Sequence, residues 1–118
     1  MIDTVDGRVV ELIKQVAAWL VSRNFLAIEA RSAGSRLLAD HMRQAIEEYG
    51  RTLIMPPDAT FSTMDVIRVT NADRPTWSVC FDLWTKEEGR SDLSLECTVA
   101  EGASGGRLDL EVDDIHVR

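Results

Sequence analysis

Trp77-Ser78-Val79-Cys80-Phe81-Asp82-Leu83-Trp84 is the stretch that decides the fold. Trp77, Val79, Phe81 and Leu83 fall on one side, while Ser78, Cys80, Asp82 and Trp84 fall on the other, the period of a strand with one buried face. Downstream the pattern repeats twice. Leu93, Leu95, Cys97 and Val99 alternate with Asp92, Ser94, Glu96 and Thr98; Leu108, Leu110 and Val112 alternate with Asp109, Glu111 and Asp113. Thr85 to Arg90, with Glu87-Glu88-Gly89, and Glu101 to Gly106 read as the connecting loops. Loops this short favour sequential antiparallel pairing, because a parallel return needs a crossover of a dozen or more residues. Upstream, Phe61 to Thr70 reads as a further strand, with Ile67 and Val69 on one face and Met64 and Val66 on the other. Asn71 to Pro75 is the turn after it, and Pro56-Pro57-Asp58 is a rigid turn that limits Leu53-Ile54-Met55 to a short extended piece.

The first half is helical. From Val9 to Val21, apolar Val9, Leu12, Ile13, Val16, Ala17 and Leu20 recur at three and four, with Asp6 as N-cap. Ser22-Arg23-Asn24 ends this helix, and Phe25, Leu26 and Ile28 return the chain to the core. A second helix is expected from Ser35 or Arg36 to Tyr49, with Leu38, Met42, Ala45, Ile46 and Tyr49 on one face and Gly50 as C-cap. The reading is one α+β domain over 1–118: two N-terminal helices packed on one face of a four- or five-stranded antiparallel meander sheet. At this length about two thirds of the unfolded surface is buried on folding, so a single core suffices.

Thirteen Lys and Arg against twenty Asp and Glu leave a net charge of −7. Ten acids face nine basic residues in 1–81 and ten face four in 82–118, so nearly all of the excess lies in the last third. That balance argues against nucleic acid or an anionic membrane and fits a basic protein partner. The opening stretch lacks a basic leader region, and no apolar run approaches the ~20 residues needed to span a bilayer. Cys80 and Cys97 lack metal-ligand spacing. A cytoplasmic chain with reduced thiols is expected, although paired strands would allow a disulfide.

On the proposed sheet Asp82, Asp92, Glu96, Asp109 and Glu111 face away from the helices, either as a solvated face that maintains solubility or as a docking surface. Trp84 shares that face by parity, and Trp84, Arg90, Asp92 and Glu96 are the interface candidates; a tryptophan beside charged groups offers contact area at little entropic cost. Asp114 and His116, one residue apart, share a face of a continuing strand and form a polar site if Glu87, Glu88 or Asp92 converges on them. Two candidate ligands do not make a site, so no metal is assigned. No nucleophile elbow, phosphate loop, dinucleotide fingerprint, cysteine knuckle or calcium loop occurs, and neither a catalytic residue nor a cofactor is expected.

Five segments carry a resemblance: Ala45-Ile46-Glu47-Glu48-Tyr49-Gly50, the Pro56-Pro57 turn, Trp77-Ser78-Val79, the run Leu83-Trp84-Thr85-Lys86-Glu87-Glu88-Gly89-Arg90-Ser91-Asp92-Leu93, and Asp113-Asp114-Ile115-His116-Val117. Together they span most of 36–118, and the chain resembles a small bacterial family of uncharacterised proteins. By analogy the family is similar to immunity or accessory proteins, which implies a noncatalytic protein-binding module, with a homodimer as one form the binding could take. The alternative is a nuclear-transport-factor-2-like cone that binds a small ligand or hydrolyses it, with Trp19, Tyr49, Trp77 and Phe81 lining its pocket.

Overall fold

A computed structural model describes residues 6–32, 36–102 and 106–118. Helix α1 (Gly7–Val21) starts where the Asp6 carboxylate accepts the Arg8 N–H at 2.9 Å, and it buries Val9, Leu12, Ile13, Val16, Ala17 and Leu20. The turn that follows puts Arg23 at φ 60°. The chain then forms helix α2 (Phe25–Arg31), where a simple return to the core was expected. Asn24 accepts the Ala27 N–H at 3.3 Å to cap it, and Phe25 and Ile28 are its buried residues. Seven residues are too few to display a helical period in sequence.

Helix α3 (Ala39–Tyr49) begins later than the sequence suggests. Leu38 is exposed and its N–H is taken by His41 Nδ1 at 3.2 Å, so Ala39, Met42 and Ile46 carry the buried face; Ser35 lies outside the described residues. Gly50 ends the helix at φ 73°, the left-handed conformation a C-cap demands.

Strand β1 (Leu53–Ile54) is followed by helix α4 (Asp58–Ser62) and strand β2 (Asp65–Arg68). The continuous strand expected from Phe61 to Thr70 is therefore divided. Pro57 ends an extended piece and opens a helical turn, in which Phe61 turns inward to stack on Phe81 with ring centroids 5.0 Å apart. Strands β3 (Thr76–Thr85), β4 (Gly89–Glu101) and β5 (Leu108–Val117) complete a five-stranded antiparallel sheet ordered β1-β3-β4-β5, with β2 also on β3. Thus β1 and β2 share one edge of β3: β1 pairs with Trp84 and Thr85, β2 with Trp77 to Cys80, and Phe61 of α4 stacks on Phe81 in the interval between them. Val79, Phe81, Leu83, Leu95, Cys97, Val99, Leu110 and Val112 join the helical apolar residues in one core. The structure is the α+β arrangement of N-terminal helices against an antiparallel sheet that the alternation predicts.

Two irregularities set the outer face. Between Asp82↔Ser94 and Trp84↔Arg90, Leu83 alone stands opposite Ser91, Asp92 and Leu93. Two extra residues preserve parity, so Trp84 and Arg90 both stay outside. The Ser91 hydroxyl bridges the break, donating to the Leu83 carbonyl at 2.7 Å and accepting the Leu93 N–H at 3.1 Å. Between Glu96↔Asp114 and Cys97↔Val112, Asp113 is a single extra residue. One extra residue reverses parity, so Val112 and Ile115 are buried and Asp114 and His116 turn outward. At the far edge Ser32 bridges to Leu110, and the Arg31 guanidinium donates to the Leu108 carbonyl at 2.7 Å.

Candidate functional site

The outer face is only partly the open acidic surface its composition suggests. Asp109 pairs with Arg74 at 3.0 Å and Glu111 with Arg36 at 3.2 Å, both arginines reaching in from loops. Asp82 is also engaged: its Oδ1 accepts from the fully buried Ser94 hydroxyl at 3.3 Å and lies 3.5 Å from Arg118 Nε, while Arg90 Nε is 4.0 Å from Oδ2. Arg118 also donates to Cys80 Sγ at 2.7 Å and to Ser94 Oγ at 3.2 Å. The Cys80 contact first, with the Asp82 carboxylate adding to it, raises the Arg118 pKa.

These groups border a cavity of about 190 Å³ at the break in the sheet edge, lined among others by Met64, Cys80, Asp82, Trp84, Arg90 and Arg118. Trp84 is half-buried, opposite Arg90 on one side and Ile54 on the other. Ile54 is itself exposed. An indole, an isoleucine and two guanidinium groups therefore meet at one end of the outer face.

The other interface candidates lie elsewhere on β4. Asp92 is exposed in the wide irregularity, where its carbonyl accepts the Arg118 N–H at 3.0 Å. Glu96 stands opposite Asp114, with His116 beside both: His116 Nδ1 is 3.2 Å from Asp114 Oδ2 and 3.9 Å from Glu96 Oε2. Glu87 is not in this group. Its carboxylate accepts from the Thr52 N–H at 2.9 Å and the Thr52 hydroxyl at 3.1 Å, contacts that lower its pKa, the backbone bond foremost. Glu88 accepts from the Tyr49 hydroxyl at 2.8 Å. Both acids thus close the β3–β4 turn, and Glu96 is the acid beside Asp114 and His116. Sequence reading did not pair Glu96 with them, since only the strand register brings it there.

Trp19, Tyr49 and Trp77 pack against the core, and Phe81 is buried against Phe61. Cys80 faces outward and Cys97 is buried, both with free thiols; burial pushes the Cys97 pKa up. No helix is long and apolar enough to cross a membrane among the described residues.

A family profile described as a domain of unknown function, DUF7668, matches residues 17–118. The chain belongs to this family. The DUF7668 match extends from the second half of α1 through all of the sheet, so both ends of the outer face lie within it. No curated protein and no solved structure matches the chain significantly.

Proposed function

We propose that this DUF7668 domain is a noncatalytic recognition module that binds another protein through the outer face of its sheet, with Trp84 and Arg90 at the centre of the contact. The observation that carries the reading is the cross-strand pair of Trp84 and Arg90 beside exposed Ile54. Tryptophan and arginine are the side chains most often responsible for interface energy, and here strands rather than loops hold them. The adjoining cavity, about 190 Å³, is smaller than the roughly 300–1,000 Å³ usual for small-molecule pockets. It suits one inserted side chain of a partner.

The partner is a basic protein. Asp92 and Glu96 lie further along β4, in the third of the chain that holds the excess of acids, and they would steer a basic surface toward this face. An immunity-like or accessory role, acting by occupying a partner's surface inside the cell, belongs to the same reading. Affinity capture from native cells with quantitative mass spectrometry tests it. The expected result is one stoichiometric protein held by the original chain and lost with Trp84→Ala/Arg90→Ala. Trp84 also borders the core near Leu20 and Leu53, so the exposed charge reversal Arg90→Glu, folded by circular dichroism, provides the second variant. Undiminished capture by both variants would reject this surface.

A further inference from the structure

Glu96 and Asp114 are directly opposed on neighbouring strands, and like charges in that relation repel. Among the described residues, no lysine or arginine nitrogen lies within ion-pair distance of either carboxylate; His116 is the one side chain with a basic nitrogen inside that distance. This differs from Asp82, Asp109 and Glu111 on the same face, each of which has an arginine.

His116 carries the second half of the argument. Its Nδ1 is buried and has no hydrogen-bond partner, although carboxylate oxygens lie 3.2 and 3.9 Å away. In the tautomer that carries its lone pair at Nδ1, the form that ligates a metal, the imidazole and the two carboxylates together offer three acceptor atoms and no donor. Ligand atoms of all three residues lie within 4.8 Å of one another. Metal-to-ligand bonds of about 2.0–2.2 Å at tetrahedral angles separate neighbouring ligand atoms by roughly 3.3–3.6 Å, so Asp114 and His116 are already near that spacing and Glu96 would draw inward to complete the set. Asp114 is already oriented: its Oδ1 accepts the Ile115 N–H at 2.9 Å, the kind of supporting bond that fixes a ligating carboxylate and leaves Oδ2 toward His116.

We propose that Glu96, Asp114 and His116 form a binding site for one first-row divalent metal ion, with zinc the best-matched probe. One imidazole nitrogen and two carboxylate oxygens suit a borderline cation better than the all-oxygen shells that magnesium and calcium prefer. Three protein ligands leave a tetrahedral ion one further position, for water. The β5 bulge is what makes the site, since the extra Asp113 turns both Asp114 and His116 to the outer face while Asp113 itself accepts from the Thr98 hydroxyl at 2.7 Å. The inference shares Glu96 with the protein-binding reading but does not rest on it, since that reading centres on Trp84 and Arg90.

Equilibrium dialysis of the full chain against zinc alone tests the site. The original protein takes up one zinc per chain, and His116→Ala and Glu96→Gln each weaken uptake by at least about 10-fold, while His41→Ala and Cys80→Ser, the other histidine and the outward thiol, leave it unchanged. Histidine ring resonances of the original protein supply a readout that needs no variant: zinc shifts the His116 ring and leaves that of His41 in position. Absence of uptake at millimolar zinc, uptake lost with His41→Ala or Cys80→Ser, or an unmoved His116 ring would each overturn the proposal.

Discussion

At the scale of single residues, the acids of the last third have separate physical roles. Asp82, Asp109 and Glu111 are neutralised by arginines, whereas Glu87 and Glu88 tie the β3–β4 turn to Thr52 and to Tyr49 at the end of α3. Glu87 has a pH signature. The Thr52 contacts favour its ionised form, so its folded pKa lies below the unfolded value. A carboxylate shifted this way contributes stability above its unfolded pKa of about 4.3, and that contribution is lost as pH falls through the folded value. Glu87→Gln should therefore lower the urea midpoint near neutral pH, and the difference from the original protein should shrink as pH falls through the folded value. A gap that persists or widens in acid would show that the Thr52 contacts do not stabilise the ionised group. None of this was legible in the run Glu87-Glu88-Gly89, which announces a turn and leaves the partners of its acids unspecified.

Among the helices, α4 is the shortest and contributes one of the central core side chains. It lies between β1 and β2, whose pairings leave Phe81 to Leu83 of β3 uncovered on that edge, and its Phe61 stacks on Phe81 from the core side. Truncating a fully buried aromatic loses its transfer free energy and leaves a cavity, a cost of about 3–5 kcal/mol. Phe61→Ala should lower the equilibrium unfolding free energy by about 3 kcal/mol or more in denaturant titrations. A loss under about 1 kcal/mol would mean that α4 collapses into the gap without Phe61. The sequence reading assigned Phe61 to a strand because its apolar neighbours suit either state, and a five-residue helix is too short to show a period. What turns it is Pro57 at its start and the unfilled space over Phe81.

Across the whole molecule, helices cover one face of the sheet and leave the other as the surface on which polar groups converge. That face has two ends: an apolar and arginine-bearing one around Trp84, and an acidic one at Glu96, Asp114 and His116. Docking of a basic partner on this face implies a kinetic signature. Its association rate should fall steeply as salt rises from about 0.05 to 0.5 M while dissociation changes less, because screening acts on the long-range approach. A salt-independent association rate in stopped-flow mixing would exclude steering by the acidic excess. The amino-acid sequence alone determined the α+β class, the α1 face, the Gly50 cap and the alternation of β3 and β4, because each is written in contacts between residues a few positions apart. Tertiary structure decided the rest. The parity of Asp114 and His116 depends on one extra residue in β5, which breaks no pattern until β4 is paired beside it. The joining of Glu96 to that pair depends on strand register, which is set by burial of the whole inner face and therefore by every element at once.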